Sequence, residues 1–187
     1  MIYLNKVSFL IYFFLCLLNS NLILASVEEI VVLGDWKEIS PDKKDASIVL
    51  LSSKEIDNQA VNHFEELSYL VPNLNFAASD SRARYFQIRG IGERSGYQGT
   101  PNSSVGFLID DIDYSGQGGI ATTFDIDQVE IHRGPQGSRI GANALAGLIY
   151  IKTKDPTKEF ESTSRVVFGS YGRSSLGLAA GGPLRIS

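Results

Sequence analysis

Three carboxylates stand close together in the middle of the chain, at Asp110, Asp111 and Asp113. Such a group could bind calcium or share protons in acid–base chemistry, because both need clustered carboxylate oxygens. The spacing differs from that of an EF-hand loop, and no glutamate stands at the position that closes such a loop. We therefore predict a solvated turn at these aspartates and no bound metal.

Residues that commonly carry catalysis or bind transition metals are scarce. The sequence has one cysteine, Cys16, and two histidines, His63 and His132. No serine, histidine and aspartate have the spacing of a catalytic triad, and so few nitrogen and sulfur ligands argue against a metal site. The glycines from Gly90 to Gly96 are spaced one residue too widely for a dinucleotide fingerprint. We predict a protein that is not an enzyme and that has no cofactor.

The composition is that of a folded protein with an acidic balance. Hydrophobic residues make up 43% and charged residues 20% of the chain, which argues against disorder. The net charge is -4 at pH 7, whereas a surface that binds nucleic acid needs an excess of positive charge. We therefore exclude nucleic acid as the main partner.

Residues 1–25 have the layout of an export signal. Lys6 provides a positive start, an apolar run extends from Val7 to Leu18, and a small residue, Ala25, stands where signal peptidase requires one. The rival interpretation is an uncleaved membrane anchor, but the apolar run is shorter than the roughly 20 residues that span a bilayer. We predict a cleaved signal peptide, whose removal also removes the cysteine.

Residues 26–44 combine a short strand-like segment with a linker. Val27 to Gly34 is rich in β-branched residues, and the polar stretch after it contains Pro41. Such a strand could add to the edge of a partner's sheet, where main-chain hydrogen bonds supply affinity. Alternatively, it is a frayed first strand of the following domain, and the pattern favours neither.

Residues 45–155 mix strand-like and helical patterns, which predicts a small α+β domain. Ser52 and Glu55 fit a capping box that begins a helix, and Pro72 ends it. The apolar positions of this helix are Ile56, Ala60, Phe64 and Leu67. The strands are predicted at Ser47–Leu51, Tyr85–Arg89, Val105–Ile109, Val129–Arg133 and Leu148–Thr153.

Residues 156–187 have a different pattern. The segments Ser162–Phe168 and Arg173–Ala180 flank a glycine-containing turn, and the second alternates apolar with small residues. This alternation is typical of a transmembrane β-strand. Because two strands cannot close a barrel in lipid, we predict the first β-hairpin of a truncated transmembrane β-barrel.

In this order, the segments resemble a TonB-dependent outer-membrane receptor. Ile88 to Ile91 resembles the family's first plug signature, and Val105 to Asp113 resembles the strand before its aspartate-rich turn. The longest match is the run from Val129 to Gly137. The plug-signature positions are Arg89, Gly90, Glu130, Arg133, Gly134, Pro135 and Gly137. His132 departs from the pattern, since many members of the family carry an aliphatic residue there.

The resemblance implies a division of the chain into four segments. They are the signal peptide (1–25), the TonB box and linker (26–44), the plug domain (45–155) and the start of the barrel (156–187). The box is the segment that pairs with the periplasmic protein TonB, which works with an inner-membrane energising complex. The residues that match it are Glu29, Ile30, Val31, Val32 and Leu33.

Two arginines need a counter-charge if they are buried, because an unpaired buried charge is costly. Arg89 and Arg133 are predicted to lie on strands with apolar neighbours. In TonB-dependent receptors, arginines at these positions pair with glutamates on the barrel wall. Alternatively, Arg89 pairs locally or faces water.

The resemblance also implies nutrient uptake across the outer membrane of a Gram-negative bacterium. The ligand is expected to be a ferric siderophore or another iron complex, and cationic and aromatic side chains suit such anions. The candidate ligand-binding residues are Arg82, Arg84, Tyr97, Gln98, Tyr114 and Gln117. Two other hypotheses stay open: a freestanding periplasmic binding module, and a truncated gene product that transports nothing.

Overall fold

A computed structural model of the chain describes residues 31–33, 47–59, 61, 63–78, 83–96, 102–118 and 121–183. The predicted signal peptide and most of the predicted linker lie outside these ranges. So do several single positions of the sequence-based prediction, namely Glu29, Ile30, Ala60, Arg82, Tyr97 and Gln98. Among the residues described, no helix has the length and apolar character that a membrane span requires.

A five-stranded mixed sheet forms the centre of the domain. In sheet order its strands are β1 (Ile48–Ser52), β6 (Ile126–His132), β7 (Gly147–Thr153), β4 (Val105–Ile109) and β5 (Ile112–Asp113). Strands β4 and β7 run parallel, whereas the other neighbours run antiparallel. The four longer strands match the predicted segments to within a few residues, because β-branched and aromatic side chains fit a buried pleated surface.

A second sheet and short helices lie around the first sheet. Strands β2 (Leu74–Ala78) and β3 (Ala83–Ile88) form an antiparallel pair. Helix α1 (Ser53–Asn58) follows β1, a 3₁₀ helix spans Phe64–Tyr69, and helix α2 (Gly137–Ile140) lies between β6 and β7. The predicted α+β class is therefore confirmed.

The single long helix predicted after β1 is wrong. Its capping box is present, since the Ser52 side chain accepts from the Glu55 amide and the Glu55 side chain accepts from the Ser52 amide. However, α1 has only six residues, and a separate 3₁₀ helix follows. Between them the Thr123 hydroxyl donates to the carbonyl of the buried Val61 at 2.8 Å. The carbonyl of Val61 is thus held by a tertiary hydrogen bond at the point where the predicted helix is interrupted.

The main core lies on one face of the five-stranded sheet. Three aromatic rings meet at its centre, Phe64, Phe86 and Phe107, with centroids 5.1 to 5.7 Å apart. Such pairs each add about 0.5–1.5 kcal/mol beyond the area that they bury. Strand β6 contributes Val129 and Ile131, which have no exposed surface.

The opposite face of the sheet carries a second, smaller core. Its buried apolar residues are Leu108, Ala144, Leu148 and Tyr150. Ile140 of α2 packs against them, and Gly106 of β4 makes room for it. A Cβ atom at Gly106 would lie 2.7 Å from Ile140 Cδ1 and 2.8 Å from Ala144 Cβ. Helix α2 can therefore pack this closely on β4 because residue 106 is a glycine.

The last two strands form a separate antiparallel hairpin. Strand β8 (Glu161–Phe168) pairs along its whole length with β9 (Ser174–Gly181), and a short turn at Ser170–Gly172 joins them. This confirms the predicted hairpin and its turn. The apolar side chains on its outer face are exposed, namely Val166, Phe168, Leu176 and Leu178.

Candidate functional site

Strand β6 carries a row of polar side chains on the face of the second core. Because side chains alternate along a strand, Gln128, Glu130 and His132 share one face, and Val129 and Ile131 point into the main core. All three polar residues are buried, and Glu130 has no exposed surface. A buried carboxylate is stable only if hydrogen-bond donors surround it. The partners of Glu130 therefore show which residues pack on this face of the sheet.

The Glu130 carboxylate is hydrogen-bonded through both of its oxygens. Its Oε1 accepts the backbone N–H of Leu33 at 2.5 Å and the Gln128 side-chain amide at 2.8 Å. Its Oε2 lies 2.7 Å from His132 Nε2. The Gln128 amide also donates to the Val31 carbonyl at 2.8 Å. Residues 31–33 are thus held to β6 by side chains that bind their main chain.

Apolar contacts complete the docking of residues 31–33. Val32 is fully buried and forms an isolated β-bridge. The half-buried Leu33 packs against the second core. We call residues 31–33 the docked segment. It contains the last three positions of the predicted TonB box, and it lies against the sheet face that carries Glu130.

The geometry defines the proton position on His132. The residue is 1% exposed, and its Nε2 faces the Glu130 carboxylate. Its buried Nδ1 has no hydrogen-bond partner among the described residues. A proton on Nε2 satisfies the carboxylate and leaves Nδ1 as an unpaired acceptor.

The two signature arginines were predicted to lie on strands, but each lies just after the end of its strand. Strand β3 ends at Ile88, and Arg89 follows with a φ of 54° and an exposed side chain. Arg133 follows β6, and its Nη1 donates to the Pro72 carbonyl at 3.5 Å. Neither makes an ion pair within the described part of the chain, and the buried Nε of Arg133 has no hydrogen-bond partner there.

The other signature residues form turns next to these arginines. Gly90 is exposed with a φ of 81°, a conformation that suits glycine. Gly134 and Pro135 lead from β6 into α2, which begins at Gly137. These residues therefore fix the path of the backbone at the ends of β3 and β6.

The aspartate cluster is a turn, as predicted, and its Asp110 and Asp113 carboxylates accept hydrogen bonds from other parts of the domain. Asp110 and Asp111 have φ values of 46° and 69° in the tight turn from β4 to β5. The Asp110 carboxylate accepts the Thr153 amide at 2.9 Å and its hydroxyl at 2.6 Å. Asp113 accepts the Asn143 side-chain amide at 3.0 Å. No group of residues suited to a metal ion occurs in the described ranges.

Half of the predicted ligand-binding residues can be located, and they lie together. Arg84 is exposed, and its Nε donates to the Gly116 carbonyl at 3.2 Å. Gly116 lies between the half-buried Tyr114 and the exposed Gln117. The Arg84 guanidinium also lies 5.5 Å from the ring centroid of Tyr85. The structure thus brings Arg84, Tyr114 and Gln117 to one surface.

The hairpin touches the domain through a small inward-facing contact. The Arg165 guanidinium of β8 donates to the Thr123 carbonyl at 3.1 Å and forms an ion pair with Asp57. It also lies 5.5 Å from the ring centroid of Phe124. Directly opposite, a Cβ atom on Gly177 would lie 3.1 Å from that ring. The inner face of the hairpin is therefore polar and small, as its alternation predicts.

A mixed sheet with short helices, glycine-rich turns and a docked N-terminal segment defines a plug-type domain. The chain belongs to the family of TonB-dependent receptor plug domains, whose family model matches residues 40–148. The resemblance seen in the sequence is confirmed.

Similar proteins are outer-membrane receptors. The ferripyoverdine receptor of Pseudomonas aeruginosa is 24% identical over 147 residues, which cover 78% of this chain and 17% of the receptor. The pesticin receptor of Yersinia enterocolitica is 28% identical over 118 residues, or 63% of this chain and 17% of that one. These relatives are receptors rather than enzymes.

A solved structure agrees with the fold. The crystal structure of the ferripyoverdine receptor of the outer membrane of Pseudomonas aeruginosa, bound to ferripyoverdine, superposes with a TM-score of 0.66 at 22% identity. The match covers 80% of this chain and 19% of that receptor. The chain therefore spans about a fifth of the length of the proteins that it matches.

Sequence reasoning missed the binding role of the polar row on β6. It singled out Glu130 as a signature residue and His132 as a departure from the family pattern, but it assigned Gln128 no role. The signal was present, because Gln128, Glu130 and His132 alternate with Val129 and Ile131. Polar residues at every second position of a strand in a buried sheet indicate a partner on that face.

Proposed function

We propose that this chain is the plug portion of a TonB-dependent outer-membrane transporter that takes up a ferric siderophore or another iron complex. The observation that carries the proposal is the family match over residues 40–148. The name of the ferripyoverdine receptor supports an iron chelate as cargo. Export would use the predicted signal peptide at residues 1–25, and the domain would sit inside a barrel that begins at residues 156–187.

Coupling to the energy source is proposed to occur at residues 29–33. TonB would pair with this box by strand addition, in which the partner's main chain bonds to the amides and carbonyls of the box. Force transmitted through that pairing would displace part of the plug. Ligand and TonB would then each favour the binding of the other, because the two sites share one conformational change.

The ligand would bind at the surface that carries Arg84, Tyr114 and Gln117, together with Arg82, Tyr97 and Gln98. The exposed guanidinium of Arg84 offers charge-assisted hydrogen bonds to an anionic chelate. In the assembled transporter, Arg89 and Arg133 would form ion pairs with glutamates of the barrel wall. The unsatisfied Nε of Arg133 supports a partner beyond the described residues.

The hypothesis of a freestanding periplasmic module expects the hairpin to pack on the domain. The Arg165 contact favours it, but the exposed Phe168, Leu176 and Leu178 side chains do not suit a soluble module. A transporter explains both observations, because the inner face of the hairpin would contact the plug and its outer face would contact lipid.

The test uses the transporter that contains this plug, produced in a strain that lacks other siderophore receptors. The variant Val31→Pro removes an amide donor from the pairing strand. Cells should still bind pyoverdine loaded with radioactive iron but should no longer accumulate the iron. Uptake at the unchanged rate would contradict coupling through this segment, and absence of binding by the unmodified transporter would exclude this siderophore as the ligand.

A further inference from the structure

We propose that the side chains of Asn143 and Asp113 form a bridge that fixes the loop at residues 113–118, and that this loop preforms the proposed ligand surface around Arg84. The inference rests on the proposed function, because it concerns ligand binding at the same surface. It adds Asn143 as a positioning residue, which acts on that surface through the loop.

Three chain segments meet at one end of the five-stranded sheet. Strands β4 and β7 run parallel, so the residues that precede them, including Ser103 and Asn143, lie at the same end. Strand β5 runs antiparallel to β4, so the chain that leaves it after Asp113 returns to that end as well. The topology therefore places Asn143 beside the loop 113–118, although 30 residues separate Asn143 from Asp113.

The Asn143 side chain uses both ends of its amide. Its Nδ2 donates to Asp113 Oδ2 at 3.0 Å, and its Oδ1 accepts the backbone N–H of Ser103 at 3.1 Å. Because a carboxylate only accepts and a backbone N–H only donates, a single orientation of the amide makes both bonds. The next residue, Ala144, donates its N–H to the Ser103 carbonyl at 3.0 Å. Asn143 is therefore anchored to the segment before β4 and reaches from there to the loop.

The other end of the bridge holds the loop itself. Asp113 Oδ1 accepts the backbone N–H of Ser115 at 2.8 Å, and the Ser115 hydroxyl accepts the Phe107 N–H at 3.1 Å. The next residue, Gly116, has a φ of 77°, and its carbonyl accepts Arg84 Nε at 3.2 Å. Because a hydrogen bond weakens steeply when it is bent, the position of this carbonyl sets the direction of the Arg84 guanidinium.

Side chains are needed here because the strand pairing is short. The register between β4 and β5 ends at the pair Leu108 and Asp113, and the chain beyond Asp113 carries the candidate ligand contacts Tyr114 and Gln117. A preformed surface binds more tightly than one that the ligand must order, because ordering costs free energy on binding. The bridge would therefore raise affinity without touching the ligand.

The test swaps the two side chains of the bridge. Asn143→Asp places a second carboxylate against Asp113, so that repulsion between like charges replaces a hydrogen bond. Adding Asp113→Asn restores the bridge with its donor and acceptor interchanged. In this swapped pair the new amide can donate to the new carboxylate and accept from Ser115, and the new carboxylate can accept from Ser103.

Ligand binding is measured on the transporter that contains this plug, in cells that lack other siderophore receptors. The cells are treated with a protonophore so that uptake does not contribute, and the probe is pyoverdine loaded with radioactive iron. Asn143→Asp should weaken binding about tenfold, and the swapped pair should bind within about twofold of the unmodified transporter. Equal affinity in all three would overturn the positioning role, and so would a loss that the swap does not recover.

The matched control is Asn75→Asp, which adds the same charge elsewhere on the domain. Asn75 is exposed on β2 and pairs with Gln87, on the part of β3 that lies beyond Arg84. This variant should bind the probe as tightly as the unmodified transporter. An equal loss in Asn75→Asp and Asn143→Asp would assign the effect to net charge and would overturn the bridge.

Hydrogen exchange of the same transporter separates the bridge from the identity of the ligand. Asn143→Asp should speed exchange of the Ser115 and Gln117 amides about tenfold and leave β7 unchanged, and the swapped pair should slow it again. Unchanged exchange in Asn143→Asp, or equal acceleration in β7, would overturn the bridge. Failure of the unmodified transporter to bind the probe would instead contradict the proposed ligand, and the exchange rates would still decide whether the bridge holds the loop.

Discussion

Strands β6 and β9 both alternate two kinds of side chain, yet their faces meet different surroundings. On β6, Val129 and Ile131 face the main core, and the polar row on the other face is covered by the docked segment. On β9, Leu176 and Leu178 are exposed, and the opposite face carries glycine and small residues. The polar face of β6 is covered within the chain, whereas the apolar face of β9 is exposed among the described residues.

The largest difference between the two regions should appear when an apolar side chain is shortened. Ile131→Ala empties a fully buried site and should lower the free energy of unfolding by about 2–5 kcal/mol. The matched change in the hairpin, Leu178→Ala, removes a side chain that is 71% exposed and should alter it by less than about 0.5 kcal/mol. Urea denaturation of both variants measures these changes in the free energy of unfolding. Similar losses in the two variants would contradict the proposed difference between β6 and the hairpin.

A glycine in each region provides the next comparison. A Cβ atom at Gly147 of β7 would lie 2.3 Å from the His132 carbonyl oxygen, whereas nothing lies within 4 Å at Gly181 of β9. Gly147→Ala should therefore destabilise the domain by about 1–3 kcal/mol or more through overpacking. Gly181→Ala should have almost no effect on stability. Thermal denaturation of both variants measures the difference. A neutral Gly147→Ala variant would mean that β6 and β7 separate easily.

The contact between the two regions should have a smaller effect. Arg165→Ala removes the hydrogen bond to Thr123 and the ion pair with Asp57, and should cost about 1 kcal/mol. Hydrogen exchange should become faster in β8 and β9 but not in β6 and β7. Arg173→Ala, at an exposed position beside the hairpin turn, is the control. Faster exchange in β6 after Arg165→Ala would indicate that the two regions unfold together.

The smallest effect concerns pH. A hydrogen bond from Lys152 to Asp155 at 2.6 Å raises the pKa of Lys152 above its usual range, against the opposing effect of burial. A raised folded-state pKa stabilises the protein below the unfolded pKa of about 10.4, and the contribution is lost as pH rises through the folded pKa. For so exposed a pair we expect a few tenths of a kcal/mol. Asp155→Asn should reduce the loss of folding stability as pH rises, measured by denaturation at alkaline pH. An unchanged pH dependence would assign that loss to other titrating groups.

Much of the fold could be predicted because its strands have strong local patterns. The runs that became β4, β6 and β7 are rich in β-branched residues and bounded by turns. Strand β2 was missed because its sequence, Leu-Asn-Phe-Ala-Ala, has weak strand propensity and depends on pairing with β3. The length of α1 was missed because the helical pattern continues past Asn58, where the helix ends, and Val61 instead contacts Thr123, 62 residues away in the chain.

The candidate site was predicted in part. Motif resemblance identified Glu130 and the box at residues 29–33, but local patterns left open whether that segment lies against the domain. The answer depends on Gln128 and Glu130 reaching main-chain groups 97 residues earlier. Such contacts between distant segments leave no periodicity in the sequence, and only the alternation of buried polar residues on β6 indicates them.

The ring of Phe124 lies against Gly177 on the inner face of the hairpin. Gly177 pairs with Arg165 across the strands, so the aromatic plane and the guanidinium meet at one rung of the ladder. A slip of β9 by two residues keeps each side chain on its own face, and would set the Cβ of Ser175 or Ala179 against the ring. The folded domain therefore favours the register that brings a glycine to this point, because a Cβ atom there would lie 3.1 to 3.2 Å from carbons of the Phe124 ring.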